Sequence, residues 1–396
     1  MDTVMPIKKV EDCSACGACF AVCPVDAIRM ETDDYGCLYP RIDDAVCIKC
    51  GRCVGVCTYH APISAGEPME AYAAVGEQLE LVKNSASGGI FATLAQNCIC
   101  NAGMVVGAVM DMQHGQADVY HVLSDKMTDI SRMQGSKYVQ SQAWRCYADV
   151  QEAVKAGRTV LFSGTPCQVA AVKQLTGNPA NLVTIDLICH GVPPMQMLND
   201  YLKILGKRFG GTITQFQFRD KFCKKQYCAK LELQKKEKKH TIWLRSHFLS
   251  FYKYFLDGSI QRENCYACPY ASLRRISDIT IGDYWGVEKY HGEQISSGQM
   301  PERKDWSCVL VNTQKGKRFL ETHQDNLILF PTKALWVAEN NRQLNAPSSK
   351  TAKREAIFRN YARGGYAAVE TAFIRECGGK LRYYWRMLKN PPSNRK

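Results

Sequence analysis

Eight cysteines near the start of the chain constrain its fold more than any other feature. They form two runs with the spacing C-x2-C-x2-C-x3-C, and the second run begins 34 residues after the first. The runs consist of Cys13, Cys16, Cys19, Cys23, Cys47, Cys50, Cys53 and Cys57. In this spacing the first three cysteines hold one four-iron cluster, and the fourth is a ligand of the other cluster. The repeat therefore predicts two [4Fe–4S] clusters in a small domain.

The interleaved spacing also assigns the ligands. We expect Cys13, Cys16, Cys19 and Cys57 to hold the first cluster, and Cys23, Cys47, Cys50 and Cys53 to hold the second. A pair of zinc sites is the alternative, but zinc has no use for eight cysteines in this arrangement. Pro24 follows the first run, as in bacterial-type ferredoxins, whereas Thr58 follows the second run, which weakens a turn but removes no ligand. Cys37 fits neither run and is expected to be a buried thiol.

The whole chain has 396 residues, which favours two domains, and contains twenty cysteines. No basic-then-apolar signal segment precedes the first cysteine, and clustered cysteines in a reducing compartment are more often metal ligands than disulfides. No apolar run approaches the roughly 18 residues that a transmembrane helix needs. We therefore expect a cytoplasmic protein with no transmembrane segment.

The formal net charge of +13 resembles a nucleic-acid-binding signal. A four-iron cluster with four thiolates carries about −2, so three clusters would leave about +7. We therefore predict no nucleic-acid partner. The remaining positive charge would suit an acidic redox protein or an anionic substrate, and solvated surface lysines are the open alternative.

The pattern of apolar runs predicts an α+β protein with a larger mixed α/β domain. Pro62, Gly66 and Pro68 punctuate the chain, so we expect a two-cluster ferredoxin domain over residues 1–65 and a larger domain over 70–345. Short apolar runs alternate with helical patterns, which indicates a partly parallel sheet. Residues 213–245 alternate apolar and polar side chains around a lysine-rich turn, as expected of an antiparallel ribbon.

Residues 346–396 are predicted to form a basic helical extension. Its end, residues 380–396, combines basic and aromatic side chains. This segment is expected to pack as a docking helix, and weak peripheral contact with a membrane is the alternative.

Three loops of small residues are candidates for ligand binding. Residues 83–89 end in Ser87-Gly88-Gly89 just before a helical pattern, where free N–H groups could meet a phosphate. Residues 134–141 place Ser136 and Lys137 among small and polar side chains, and residues 162–168 lead from a strand into a helix. An ordinary capped helix after a loop would look the same as the first of these, so that alternative stays open.

Five motifs occur in order along the chain. They are Ser87-Gly88-Gly89, Gly135-Ser136-Lys137-Tyr138, Gly164-Thr165-Pro166-Cys167-Gln168, Cys189-His190-Gly191 and the run from Asp278 to Gly286. Together with the cysteine repeat, and over roughly residues 1–290, they resemble the family of coenzyme F420 hydrogenase/dehydrogenase beta subunits. The resemblance implies FAD and iron–sulfur clusters that exchange electrons with a two-electron acceptor. That acceptor is a deazaflavin in the archaeal enzymes and another substrate in related members.

A flavin agrees with the chemistry, because clusters move single electrons whereas most organic redox reactions move a pair. We expect Ser87, Gly88, Gly89, Ser136 and Lys137 to contact the FAD. Lys137 is the expected catalytic cation, placed to stabilise the anionic reduced flavin, and an ordinary surface lysine is the alternative.

Four further cysteines stand where ligands of a third [4Fe–4S] cluster are expected. Cys167 and Cys189 follow strands, and the carboxyl ends of neighbouring parallel strands converge at one edge of a sheet. Cys265 and Cys268 form a C-x2-C pair followed by proline, as in the first run of the repeat. This cluster would lie between the ferredoxin domain and the flavin. The alternative is that Cys265 and Cys268 bind zinc or nothing.

The expected function is therefore that of an FAD- and iron–sulfur-dependent oxidoreductase. Its expected partners are ferredoxin or another redox protein, and a small-molecule substrate. Two alternatives remain: a non-catalytic electron-relay subunit of a larger redox complex, and a coenzyme F420 oxidoreductase.

Overall fold

The computed structural model describes residues 12–221 and 227–389. The ends of two predicted domains, residues 1–11 and 390–396, therefore lie outside the described residues.

The N-terminal cysteine repeat folds as two similar halves around a hairpin. Its elements are α1 (Ala18–Ala21), β1 (Ile28–Thr32), β2 (Leu38–Ile42) and α2 (Arg52–Gly55). The two strands are antiparallel, with Ile28 opposite Ile42. Each short helix begins after a glycine with positive φ, 78° at Gly17 and 72° at Gly51, which is the left-handed conformation that glycine adopts at little cost. Each glycine follows the second cysteine of its run, so the chain turns sharply between ligands.

The rest of the chain alternates strands and helices. The strands are β3 (Glu70–Gly76), β4 (Met104–Gln113), β5 (Gln116–Ser124), β6 (Val160–Gly164), β7 (Leu182–Leu187), β8 (Thr212–Gln217), β9 (Cys228–Lys235), β10 (Lys238–Arg245), β11 (Ile279–Asp283), β12 (Ser307–Val311) and β13 (Leu327–Thr332). The helices are α3 (Leu79–Asn84), α4 (Ile90–Cys100), α5 (Met127–Met133), α6 (Tyr147–Lys155), α7 (Pro166–Thr176), α8 (Met195–Phe209), α9 (Ser250–Leu256), α10 (Val287–Ser296), α11 (Gln314–His323), α12 (Ala334–Asn340), α13 (Arg354–Glu376) and α14 (Lys380–Lys389).

An eight-stranded mixed sheet forms the centre of the larger domain, in the order β13-β3-β12-β11-β7-β6-β4-β5. The four strands β4, β6, β7 and β11 are parallel, and the flanking pairs are antiparallel. The expected mixed α/β domain with a partly parallel sheet is thereby confirmed. Because β6, β7 and β11 run the same way, their carboxyl ends open at one edge of the sheet, where ligands usually bind.

A second sheet covers residues 212–245. The strands β8, β9 and β10 form an antiparallel ribbon whose tip joins Lys235 to Lys238, as expected from the alternating pattern. Its buried face includes Phe216 and Leu231, which pack in one apolar cluster with side chains of α8, α9 and α13.

The C-terminal helices pack on that same cluster. Tyr383 of α14 is buried, and its hydroxyl donates to the main-chain oxygen of Phe248 at 2.6 Å. The opposite side of α14 carries Leu381, Trp385 and Leu388, which are 91%, 57% and 77% exposed. Within the described ranges, no helix has both the length and the apolar character needed to cross a membrane.

The ferredoxin repeat packs directly against the larger domain. Ala18 and Val56 share an apolar cluster with Tyr147 and Phe162 of the large domain. The Tyr147 hydroxyl also donates to the main-chain oxygen of Cys16 at 3.0 Å. The first cysteine run is therefore held at a fixed place relative to the sheet.

Candidate functional site

The structure gathers the first cysteine group around one cavity. Cys13, Cys16, Cys19 and Cys57 line it together with apolar walls from Met30 and Pro40. Burial raises the pKa of Cys16 to about 12, and the neighbouring thiols of this group contribute to the rise. The N–H of Ala15 donates to Cys13 Sγ at 3.3 Å. Iron binds thiolates and displaces the protons of such clustered thiols, so the donor set suits an iron–sulfur cluster.

The second group surrounds a separate cavity nearer the surface. Cys23, Cys47, Cys50 and Cys53 line it, with Ile28 and Ile42 as apolar walls. The N–H of Ala27 donates to Cys23 Sγ at 3.2 Å, and Cys50 is exposed. The structure therefore sorts the eight cysteines into the two sets that the interleaved spacing predicts.

A third group of thiols forms in the large domain. Cys167 lies in the first turn of α7, Cys189 follows β7, and Cys265 and Cys268 lie in a short helical turn and just beyond it. Burial raises the pKa of Cys189 well above its usual value, and Cys265, Cys167 and Cys268 add to the rise. A Cβ added to Gly191, two residues after Cys189, would lie 2.9 Å from Cys265 Cβ, so these two cysteines lie close together.

The polar surroundings of the third group resemble those of the ferredoxin groups. The N–H of Gly191 donates to Cys189 Sγ at 3.4 Å, and Thr165 Oγ1 lies 3.2 Å from Cys167 Sγ. Backbone N–H and hydroxyl donors near the sulfurs are the contacts that tune an iron–sulfur cluster. Among the described residues, no three His, Cys, Asp or Glu side chains approach closely enough to share a single metal ion. A four-iron cluster does not need such an approach, because each of its cysteines binds a different iron.

The third group lies next to the first. Burial raises the pKa of both Cys13 and Cys16, and the Cys167 thiol is near enough to each to add to the rise. The cysteine groups therefore form a series that starts at exposed Cys50, passes the buried first group and reaches the edge of the sheet.

A large cleft opens at the carboxyl ends of the parallel strands. Its empty space is about 1380 Å³, part of it open to solvent, and Cys189 forms part of its wall. Segments 85–87, 89–92, 133–139, 163–165 and 187–192 contribute to the lining. A cleft at this edge, in contact with a thiol group, suits a large ligand that exchanges electrons with that group.

Four of the five predicted flavin contacts line this cleft, namely Ser87, Gly89, Ser136 and Lys137. Gly88 does not. Its N–H donates to Ser307 Oγ at 2.9 Å, and an added Cβ would lie 2.8 Å from the main-chain oxygen of Ala74. Position 88 requires glycine because the neighbouring backbone packs closely against it. The structure therefore differs from the expectation that Gly88 itself contacts a ligand.

Lys137 lies in the cleft wall and closes the end of α5. Its ammonium donates to the main-chain oxygens of Arg132, Met133 and Gln134 at 3.0, 2.9 and 2.8 Å. Burial lowers the pKa of Lys137 to about 7, with the nearby Arg132 charge acting in the same direction. To pair with a ligand, the ammonium would therefore have to give up its hydrogen bond to one of these carbonyl oxygens.

His121 is a cleft residue that the sequence analysis did not identify. It lies on β5, is 2% exposed, and neither ring nitrogen has a hydrogen-bond partner in the described part of the chain. Burial lowers its pKa to about 4, which keeps the imidazole neutral at physiological pH. The alternation of buried and partly buried residues along β5 could have indicated that His121 is buried, because Ala117, Val119 and His121 fall on the same inward face.

Arg219 and Asp283 form a second pair that the sequence analysis did not assign. Arg219 Nη1 lies 2.7 Å from Asp283 Oδ2, and the guanidinium lies 4.8 Å from the ring centre of Tyr227. Both charged residues line the cleft. Asp283 ends β11 within the last motif of the sequence, so the ion pair ties the ribbon to the sheet at the cleft.

Two known families match parts of the chain. The 4Fe-4S dicluster domain matches residues 12–61. The family described as the C terminus of the beta subunit of coenzyme F420 hydrogenase/dehydrogenase matches residues 157–332. The first match contains the two ferredoxin cysteine groups, and the second contains the third group and most of the parallel strands. Both matches confirm the resemblance inferred from the motifs.

Two relatives and one solved structure illustrate what this chain is similar to. An uncharacterized protein of Methanocaldococcus jannaschii is 23% identical, with 78% of this chain and 86% of the relative covered. A subunit of the F420H2 dehydrogenase of Methanosarcina mazei, designated F, is 20% identical, with 80% and 83% covered. A chain of the F420-reducing [NiFe] hydrogenase complex from Methanosarcina barkeri aligns with a TM-score of 0.46 and 15% identity, covering 76% of this chain and 94% of that chain.

Proposed function

This chain is an iron–sulfur electron-transfer protein of the family of coenzyme F420 hydrogenase/dehydrogenase beta subunits, and from that premise we propose that it is an FAD-dependent oxidoreductase. In this proposal electrons pass along three [4Fe–4S] clusters to FAD and then, as a pair, to a small-molecule substrate. The observation that carries it is that Cys189, a member of the third thiol group, forms part of the cleft wall.

The proposed ligands follow the three groups of thiols. The first cluster would take Cys13, Cys16, Cys19 and Cys57, the second Cys23, Cys47, Cys50 and Cys53, and the third Cys167, Cys189, Cys265 and Cys268. Burial and mutual proximity of the thiols support the first and third sets, and the shared cavity supports the second.

The cleft supports FAD by its position and by its polar lining. FAD, when bound, links the single-electron chemistry of clusters to two-electron chemistry. The N-terminus of α4, which begins just after Gly89, presents main-chain N–H groups suited to a phosphate. Lys137 supplies positive charge in the cleft when it is protonated, which favours an anionic reduced ligand, whereas the charge of Arg219 is balanced by Asp283. In this role Lys137 is the proposed catalytic cation, and Ser87 and Ser136 are proposed polar contacts.

The exposed second group is the proposed entry for electrons. Cys50 is exposed, and Ile48 beside it is a large exposed apolar side chain. A ferredoxin or another redox protein could approach closely there. We place the protein in the cytoplasm, because cluster-binding thiols are kept reduced in that compartment.

Two alternative functions predict different behaviour of the cleft. An electron-relay subunit would bind no flavin, and the name of the Methanosarcina mazei relative, which is one component of a dehydrogenase, favours this reading. A coenzyme F420 oxidoreductase would bind FAD and also exchange electrons with the deazaflavin. The name of the Methanosarcina mazei relative, an F420H2 dehydrogenase subunit, also favours this alternative.

We also propose weak peripheral membrane contact of the C-terminal helix. Leu381, Trp385 and Leu388 form one exposed apolar stripe on α14, and basic side chains lie beside it. An apolar stripe flanked by Lys and Arg is typical of helices that lie at an anionic lipid surface.

Anaerobic reconstitution with iron, sulfide and FAD tests the main proposal. The loaded protein should take up about five electrons, one for each of three clusters and two for the flavin. Chemically reduced ferredoxin should reduce the flavin, and Cys268→Ala should slow this step strongly while leaving FAD bound. Failure to take up FAD or FMN would favour the relay subunit, and rapid reduction of added deazaflavin would favour the F420 reaction.

A further inference from the structure

Arg262 is a fully buried cation placed between the ferredoxin repeat and the large domain. Its side chain is 0% exposed, and its hydrogen-bond acceptors are neutral oxygens. Nη1 donates to Gln140 Oε1 at 2.8 Å, and Nη2 donates to the main-chain oxygens of Cys13 and Leu38 at 3.2 and 2.9 Å. Nε has no partner in the described part of the chain.

Such an arrangement is costly unless a negative charge is near. A buried guanidinium loses its hydration, and hydrogen bonds to neutral oxygens replace only part of it. The face of Tyr39, 4.6 Å from the guanidinium carbon, adds a weak cation–π attraction. Neither contact supplies a full opposite charge, so the position of Arg262 itself calls for an anion.

Arg262 lies beside Tyr39 and Cys37, which belong to no cluster, and main-chain contacts join it to cysteines of two different groups. Arg262 bonds to the main chain of Cys13, and its own carbonyl accepts the N–H of Cys265 at 3.1 Å. Direct contacts therefore hold the cation between the first and third groups.

We propose that Arg262 is the shared counter-charge of the first and third clusters and that it raises the reduction potential of both. This inference rests on the proposed function, which places clusters at these groups. A four-thiolate cluster is already anionic and gains one more negative charge when it accepts an electron. A fixed cation in a buried, weakly screened site stabilises the reduced form more than the oxidised form. Arg262 would thus favour acceptance of an electron at both clusters, and so favour transfer from the second cluster inward.

The second cluster provides a control within the same molecule. Its cavity is lined by Lys49 and Arg52, which belong to the more exposed end of the repeat, and Arg262 does not line it. Solvent screens charges at such a site. The potential of the second cluster should therefore not respond to Arg262.

The test is a potentiometric titration of the full, cluster-loaded chain, followed by electron paramagnetic resonance. Arg262→Gln removes the charge, and Arg262→Lys retains it without the planar fork. We expect lower potentials for the first and third clusters in Arg262→Gln, a smaller change in Arg262→Lys, and an unchanged second cluster. Unchanged potentials at the first and third clusters, or one equal shift at all three, would overturn the proposal.

A second variant keeps the test decisive if Arg262→Gln fails to load clusters. Gln140→Glu has nearly the same shape and places a carboxylate on the Nη1 of Arg262, which neutralises the cation in place. It should lower the same two potentials, and no shift at either cluster would contradict the proposal. The iron content of the wild type separates this result from failure of the proposed function. With about eight irons the third cluster is absent, and the shift at the first cluster then decides the role of Arg262.

Discussion

The hydroxyl of Tyr270 donates a hydrogen bond to Thr58 Oγ1 at 3.0 Å. Thr58 follows Cys57, the last cysteine of the ferredoxin repeat, and Tyr270 lies two residues beyond Cys268 of the third group. Thr58 occupies the place that Pro24 takes after the first run. A proline side chain could not accept this hydrogen bond, so the departure from the ferredoxin pattern gives the larger domain a polar contact beside the first cluster.

Loss of this contact should loosen the junction between the two cysteine loops. Tyr270→Phe leaves the buried Thr58 hydroxyl without its donor, and we expect a loss of about 1 kcal/mol in the free energy of unfolding. Adding Thr58→Val should cost less than the sum of the two single changes. Anaerobic urea denaturation measures all three variants, and strictly additive losses would contradict a direct interaction.

Two adjacent arginines give a matched test of the loop that carries Cys265 and Cys268. Arg275 forms a buried ion pair with Asp186 at 2.7 Å and donates to the main-chain oxygens of Tyr270 and Ser272. Arg275→Gln leaves the buried carboxylate unpaired, so we expect a loss of about 3–5 kcal/mol and weaker retention of the third cluster.

The control is Arg274→Gln, at an exposed neighbouring position, which should change stability by about 0.5 kcal/mol or less. Iron content and thermal unfolding, measured side by side, distinguish the two variants. Equal losses of stability and iron in the two variants would contradict the claim that the Arg275–Asp186 ion pair stabilises this loop.

The features that could be predicted from the sequence are those marked by residues close together along the chain. The cysteine spacing predicted which thiols group together in the ferredoxin repeat, because three ligands of each set lie within one short turn. The strand ends before Cys167 and Cys189 were predicted from short apolar runs, and the parallel sheet brings those ends together. The C-x2-C pair of Cys265 and Cys268 was visible for the same local reason.

The features that were missed depend on contacts distant in sequence. Gly88 was assigned to a ligand because small residues often surround phosphates, but its backbone packs against Ala74 and against Ser307, which lies 219 positions away. His121 has no motif, and its isolation in the cleft depends on neighbouring strands. Arg262 lies 249 positions from Cys13, to which it donates, so no local pattern could reveal their contact.

The stability of the protein should depend on pH through Lys137. Burial lowers the pKa of Lys137 from 10.5 to about 7, so between these values the unfolded chain holds a proton that the folded chain releases. Stability rises with pH wherever the unfolded state binds more protons. The cost of burying this charge is therefore present below about pH 7 and is relieved as the pH rises toward 10.5.

The comparison with Lys137→Met isolates this effect. The free energy of unfolding of the wild type, minus that of the variant, should increase by about 1.4 kcal/mol per pH unit above pH 7. Denaturant titrations of flavin-free protein at pH 6, about 7.5 and about 9 measure the difference. A constant difference over this range would show that Lys137 does not titrate there.

We expect His121 to form a hydrogen bond with the ligand that binds in the cleft. Its neutral imidazole has two nitrogens without a partner in the described part of the chain, and a ligand that bonds to either one would relieve the cost of burying them. His121→Leu should weaken FAD binding about tenfold, the factor expected for one lost hydrogen bond of about 1.4 kcal/mol, and His121→Gln should recover part of it. Equal FAD affinity in the wild type and both variants, measured by flavin fluorescence, would contradict a ligand contact.

The central claim is that a third cluster connects the ferredoxin repeat to the cleft, and the iron content tests it most directly. Fully reconstituted wild type should hold about twelve irons, and Cys268→Ala should lose about four while the two ferredoxin clusters remain visible by electron paramagnetic resonance. Cys308→Ala, which removes a buried thiol outside the three groups, should retain the full iron content. About eight irons in the wild type, or an iron content unchanged by Cys268→Ala, would contradict the account.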